Sequence, residues 1–139
     1  MNGADDAIEV VGACVRRADG RILLATRPEG KAQSGRWEFP GGKVERGETP
    51  EAALARELRE ELDLPVEGIR ALGSVVHAYP EKRIRLTLFA CSPCAGAEPV
   101  PRENQRVAWF APEDLSRLPL CPADAALLPC VVERATSPA

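Results

Sequence analysis

Apolar and polar positions along this chain fall into blocks with different periods. Residues Ile8 to Arg17 are mostly apolar and rich in Val, Ala18-Asp19-Gly20 makes a turn, and Arg21 to Arg27 is a second apolar run, which predicts a β-hairpin. Pro28 to Arg36 is polar and predicts a loop, with a short strand at Trp37 to Phe39 after it. From Pro50 the period changes. Leu54, Leu58 and Leu62 recur at i, i+4 and i+8, the stripe of a helix packed on a sheet. Two further strands, Ile69 to His77 and Arg83 to Cys91, flank a link at Ala78 to Lys82. Ser92 to Pro101 is rich in Pro, Gly and Ala and predicts a loop before a short strand at Arg106 to Phe110. A short helix opens at Pro112, and a last one runs from Pro122 to about Arg134, where Pro129 should kink or split it. Residues 1–7 and 135–139 are expected to be flexible ends of one domain.

The central helix carries its own start signals. Thr49 is a good N-cap, Pro50 suits the first helical position, and Glu51 sits where the helix dipole favours an anion. Beside the leucine stripe, Glu57, Glu60 and Glu61 fall within an arc of about 100° and make one acidic edge. Like charges at this spacing repel by a few tenths of a kcal/mol per pair unless something compensates them. A hard divalent cation compensates them best, because Mg²⁺ takes oxygen ligands; a solvated charged face is the alternative. Just upstream, Gly41 and Gly42 allow the backbone to approach a ligand closely, so a main-chain carbonyl there can add another oxygen.

Read together, Gly42, Glu48 and the run Arg56-Glu57-Leu58-Arg59-Glu60-Glu61-Leu62-Asp63-Leu64 resemble the signature of the Nudix hydrolases, G-x5-E-x7-R-E-U-x-E-E-x-G-U, where U is a bulky apolar residue. Every specified position matches except Asp63, where the family has Gly. Asp tolerates the left-handed conformation better than most residues, so the helix end should survive at modest cost. Arg27 ahead of Trp37-Glu38-Phe39-Pro40, and Glu103 ahead of Trp109, fit the MutT-like branch. Pro119-Leu120-Cys121-Pro122-Ala123-Asp124 is similar to a segment of the bacterial CTP pyrophosphohydrolases in this family.

The resemblance, spanning Glu9 to Leu128, implies an α/β fold with a mixed β-sheet sandwiched between helices. It implies that Glu57, Glu60 and Glu61, with the Gly41 carbonyl, hold Mg²⁺, with Mn²⁺ as a substitute. Glu103 would be an outer metal ligand or a general base, and Glu48 would pair with Arg56 to keep the carboxylates in register. Arg27 and Lys43 would take up phosphate charge. Water would attack a nucleoside triphosphate to give the monophosphate and pyrophosphate. The base would meet Tyr79, Leu86 and Asp124. An ionised Asp accepts the cytosine N4 amino group and repels the guanine O6, which favours CTP, dCTP or a modified dCTP over 8-oxo-dGTP. Pool sanitisation as an 8-oxo-dGTP diphosphatase and a non-catalytic nucleotide sensor are the competing readings.

Composition narrows the class further. The chain has 139 residues, enough for one core, with 45% hydrophobic and 28% charged residues. A net charge of -3 offers no footprint for a nucleic-acid polymer or an anionic membrane. No run is long enough to span a bilayer and the N-terminus lacks a signal-peptide pattern, so the reading is a cytoplasmic monomer or homodimer with a small-molecule nucleotide as its partner. Five scattered cysteines read as reduced, half-buried side chains. Cys91-Ser-Pro-Cys94 has no second CxxC or His pair to complete a zinc site, and His77 reads as a strand residue.

Overall fold

The computed structural model describes residues 7–131. Strands β1 (Ile8–Val15), β2 (Ile22–Thr26), β3 (Trp37–Glu38) and β4 (Gly41–Lys43) precede helix α1 (Pro50–Leu62). Strands β5 (Val66–Tyr79), β6 (Lys82–Pro93) and β7 (Val107–Phe110), a 3₁₀ helix (Pro112–Arg117) and helix α2 (Pro122–Ala126) follow. The strands make a four-stranded mixed sheet, ordered β4-β1-β6-β5, and a three-stranded antiparallel sheet, ordered β3-β2-β7.

The first two strands are not a ladder-paired hairpin. The turn is there, with the Gly20 N–H donating to the Arg17 carbonyl at 2.8 Å and the Arg17 N–H donating to that of Arg21 at 2.9 Å. Pairing then stops at a single bridge between Arg16 and Ile22. Both runs are continuously apolar, so each seeks a central place with cover on both faces. β1 takes it between β4 and β6, and β2 takes it between β3 and β7. The Gly41-Gly42 segment, for which the sequence predicts no element, is also a strand, β4, whose Gly41 lies against Gly12 with no room for a side chain: a Cβ would stand 1.9 Å from the Val11 carbonyl oxygen.

Two apolar clusters cover the two faces of the larger sheet. Ala53, Leu54, Leu58 and Leu62 of α1 pack with Val11, Ala13, Val15, Leu23 and Phe89. On the other face Cys14, Leu86 and Leu88 meet Phe39 and the C-terminal segment, through Leu115, Leu120, Ala123, Leu127 and Val131. This is the expected helix, sheet, helix arrangement. The α1 boundaries follow their caps: the Thr49 hydroxyl accepts the Ala52 N–H at 3.1 Å, and Asp63 ends the helix in the left-handed region at φ 51° and ψ 40°.

β5 and β6 extend beyond their predicted ends and pair from Tyr79 opposite Lys82, which leaves a two-residue turn instead of the longer link. The last helix is split, as Pro129 demands: α2 ends at Ala126, and residues 128–131 resume helical conformation after a turn at Leu127. Its predicted continuation to Arg134, like both predicted flexible ends apart from residue 7, lies outside the described residues. No helix among the described residues is long and apolar enough to cross a membrane.

Candidate active site

Helix α1 presents its carboxylates around one arginine. Arg56 Nε donates to Glu48 at 2.6 Å, one terminal nitrogen donates to Glu57 at 3.1 Å and Glu60 at 3.2 Å, and the other donates to Glu48 and the Lys43 carbonyl, both at 3.0 Å. The expected Glu48–Arg56 pair is therefore present, and Arg56 also ties α1 to β4. Glu48 in turn accepts the Glu45 N–H at 2.9 Å, which closes the loop before the helix. Arg56 holds the Glu48 carboxyl below its usual range.

The three helix carboxylates do not stand alike. Glu60 is 58% exposed and turned to Arg56, whereas only 17% of the Glu57 side chain is exposed. Glu61 is half-buried against Glu57 and faces Glu38 and Glu103; desolvation, then Glu57, push its carboxyl well up. Gly42 makes room for this cluster. A Cβ there would stand 2.4 Å from the Glu57 carboxyl carbon. Glu103 sits on an exposed loop next to Asn104, whose φ is 58°, and its N–H is held by the buried Gln105 side chain at 2.8 Å.

A cavity of about 430 Å³ opens beside the cluster. Val10, Phe39, Tyr79, Ile84 and Leu86 give it apolar walls, Arg27, Lys43 and Lys82 give it positive charge, and Glu38, Cys121 and Asp124 close its buried end. Gly41 and Gly42 line it too, so it runs up to the α1 carboxylates. The structure thus gathers Arg27, Gly41, Lys43, Tyr79, Leu86 and Asp124 into one pocket, with Glu48, Arg56, Glu57 and Glu61 adjacent. Arg27 is engaged already: Nε donates to the Ala32 carbonyl at 3.1 Å, and a terminal nitrogen lies 3.7 Å from Glu38.

The far end is joined by backbone bonds. The Trp37 N–H donates to the Pro119 carbonyl and the Cys121 N–H to that of Trp37, both at 2.9 Å, so the segment before α2 runs alongside β3. One turn on, the Asp124 carboxylate accepts the Phe39 N–H at 3.0 Å. Tyr79 is fixed as well, its hydroxyl accepting the Ala123 N–H at 3.2 Å and its ring tilted on His77 at 4.5 Å. Burial raises the Asp124 carboxyl to about 7. Full ionisation, which the sequence reading assumed, therefore holds only above that pH.

Sequence reasoning passed over Glu38. It lies between the two groups of acids, felt electrostatically by Glu61 on one side and facing Asp124 on the other, and burial followed by Asp124 raises its carboxyl to about 8. The one available signal was its place between Trp37 and Phe39, which reads as a strand residue until the partner segment is known.

This construction, a glycine-bearing strand, a loop and a helix that carries Arg-held carboxylates beside a pocket, defines a phosphoanhydride hydrolase of the Nudix class. Residues 7–130 match the NUDIX domain model, and the chain belongs to that family. It is 41% identical over 133 residues to the CTP pyrophosphohydrolase of Escherichia coli (strain K12), covering 95% of this chain and 97% of that protein. It is 36% identical to the 8-oxo-dGTP diphosphatase of Haemophilus influenzae, covering 87% and 88% of the two chains. The solution structure of the E. coli ORF135 protein superposes with a TM-score of 0.82 at 38% identity, covering 100% of this chain and 99% of that one.

Proposed function

We propose that residues 7–131 form a single catalytic domain that hydrolyses cytosine nucleoside triphosphates to the monophosphate and pyrophosphate in a divalent-metal-dependent reaction. The site's donor set fits a hard cation: the Glu57 carboxylate packs against Gly42, which lines the pocket, Glu61 lies beside it, and Arg56 donates to Glu57 as a counter-charge. Glu57, Glu61 and the Gly41 carbonyl, with Glu60 and Glu103 at the rim, would hold Mg²⁺ or Mn²⁺. Bound there, the cation neutralises phosphate charge and lowers the pKa of a water.

The remaining work belongs to the chain itself. Arg56, fixed by Glu48, keeps the Glu57 carboxylate aimed away from solvent. Lys43 and Arg27 meet phosphate oxygens at the mouth of the pocket, Arg27 through donors not used by Ala32. Glu103 stands on a loop braced by Gln105 as the acceptor for a proton of the attacking water. Tyr79 and Leu86 flank the base.

The observation that carries the cytosine reading is Asp124, a buried carboxylate held by the Phe39 N–H at the closed end of the pocket. As an anion it accepts the N4 amino group and rejects O6. The relative that acts on CTP, by its name, supports the same assignment. A second reading, hydrolysis of 8-oxo-dGTP, draws on the raised Asp124 carboxyl, since its protonated share can donate to O6. Pyrophosphate release with Mg²⁺ from CTP, dCTP, 5-methyl-dCTP, dGTP, 8-oxo-dGTP and ADP-ribose, with Glu57→Gln as control, tests both. Turnover led by the cytosine nucleotides and abolished in the variant is the expected result. A lead for 8-oxo-dGTP would replace the first reading by the second, and nucleotide binding without turnover would leave a sensor.

A further inference from the structure

The closed end of the pocket contains a donor set of which the proposed hydrolysis uses only Asp124, as a contact to the base. Cys121 Sγ and one carboxylate oxygen from each of Glu38 and Asp124 lie within 4.8 Å of one another. Cys121 is 3% exposed and Asp124 6%, and the Cys121 thiol has no hydrogen-bond partner among the described residues although it lines the cavity. We propose that Glu38, Cys121 and Asp124 form a second cation site, selective for a thiophilic divalent ion such as Zn²⁺, and that its occupation shuts the base pocket.

The donors are held in place before any ion arrives. Cys121 is bonded through its N–H to Trp37, the residue before Glu38, and Asp124 is bonded to Phe39, the residue after it. Three donors from one short strand and one helix start therefore face each other across fixed backbone hydrogen bonds, with the fourth direction open to the cavity. Three protein ligands and one open position is an arrangement that zinc accepts readily.

Ligand softness separates this site from the carboxylate cluster on α1. A thiolate with two carboxylates suits Zn²⁺, whereas Mg²⁺ takes oxygen alone. A dication bound there would have to displace the proton of the buried Cys121 thiol, so occupation of the site should release protons. Arg27, Lys31 and Arg36 are the cations that face this cluster: Arg27 keeps a terminal nitrogen 3.7 Å from Glu38, which an incoming ion would displace, while its Nε donates to the Ala32 carbonyl, and Arg36 is drawn off to that of Leu120 at 3.1 Å.

Co²⁺ added to the whole chain in excess Mg²⁺ reads the site without any assay of turnover, because a thiolate bound to Co²⁺ gives a near-ultraviolet charge-transfer band. The band should grow in the native protein and in Cys91→Ser/Cys94→Ser, be displaced by Zn²⁺, and vanish in Cys121→Ser. Cys121→Ala, which removes the donor without burying a hydroxyl, serves if serine impairs folding. No band in the folded native protein, or a band that survives both Cys121 variants, would overturn the proposal. The claim of closure rests on the nucleotide reading and has its own arm: Zn²⁺ should inhibit CTP hydrolysis competitively with CTP, and much less in Cys121→Ser. Inhibition unchanged by that variant refutes closure; absence of CTP turnover refutes the function reading and leaves the Co²⁺ result to stand by itself.

Discussion

At one end of the pocket, Glu48, Arg56, Glu57 and Glu61 come from one short run of sequence and are ordered by a cap, a helix period and a single arginine. At the other end, Phe39 meets Asp124 across a sequence separation of 85 residues, and Glu38 faces the same carboxylate. The first end is locally determined; the second exists only once β3 and the segment before α2 have docked. The difference teaches that the carboxylate cluster and the closed end of the pocket, to which the proposed function assigns the base, are encoded at different distances along the chain. Substitutions should separate them.

The largest effect is expected at the helix end. Glu57→Gln should lower kcat by about 10²- to 10³-fold, the scale of several kcal/mol of charge stabilisation, while thermal unfolding shows Tm held or raised as repulsion with Glu61 is relieved. A loss below tenfold would remove Glu57 from the chemistry. Next is Gly42→Ala, whose Cβ would displace the Glu57 carboxylate. A shift of about 1 Å costs about 10²-fold in kcat, so single-turnover rates should fall with little change in KM.

At the far end the readout should be preference instead of rate. Asp124→Asn keeps an oxygen for the Phe39 N–H and adds a donor, so the kcat/KM ratio of CTP to 8-oxo-dGTP should fall by about 10- to 100-fold, the 1–3 kcal/mol of one base-edge contact. An unchanged ratio would show that Asp124 does not face the base.

The same ratio should respond to pH. Asp124 and its neighbour Glu38 are both raised, to about 7 and about 8, with Arg27, Cys121 and Tyr79 also facing them. Below about 7 Asp124 keeps its proton; above, it becomes the acceptor that cytosine needs. Cytosine preference should therefore widen from pH 6 to pH 8. Folding follows the opposite sign: an acid raised in the folded state binds more protons there, so its contribution turns unfavourable as pH rises from 3.8 to about 7 and levels off above. The smallest effect is at the helix end again. Asp63→Gly relieves the left-handed residue and gives up only an exposed pair with Arg102 at 3.0 Å, so denaturant unfolding should show a gain of about 0.5 kcal/mol.

The contrast also explains which parts were legible in the sequence. Thr49, Pro50 and the leucine stripe announce α1 because capping and helical period act within a few residues. Asp63 in the left-handed region, and the split near Pro129, were readable for the same reason. The β1–β2 hairpin was misread because an apolar run reports burial and not which strand lies beside it. β4 escaped notice because Gly-Gly has turn chemistry locally and strand geometry only against Gly12. Glu38 went unseen because its meaning comes from Asp124 and Glu61, neither of which any spacing brings to it.

The bonds from Trp37 to Pro119 and Cys121 also set an order of events during synthesis. The acidic helix leaves the ribosome with its caps and its arginine clasp already specified, well before the segment that carries Asp124. Until that segment arrives, Phe39, Leu86 and Ile22 lack their cover from Leu120, Ala123 and Leu127. On the proposed function, a nascent chain therefore carries the phosphate-binding end in outline before the end assigned to the base exists. That second end arrives together with the closing of the core.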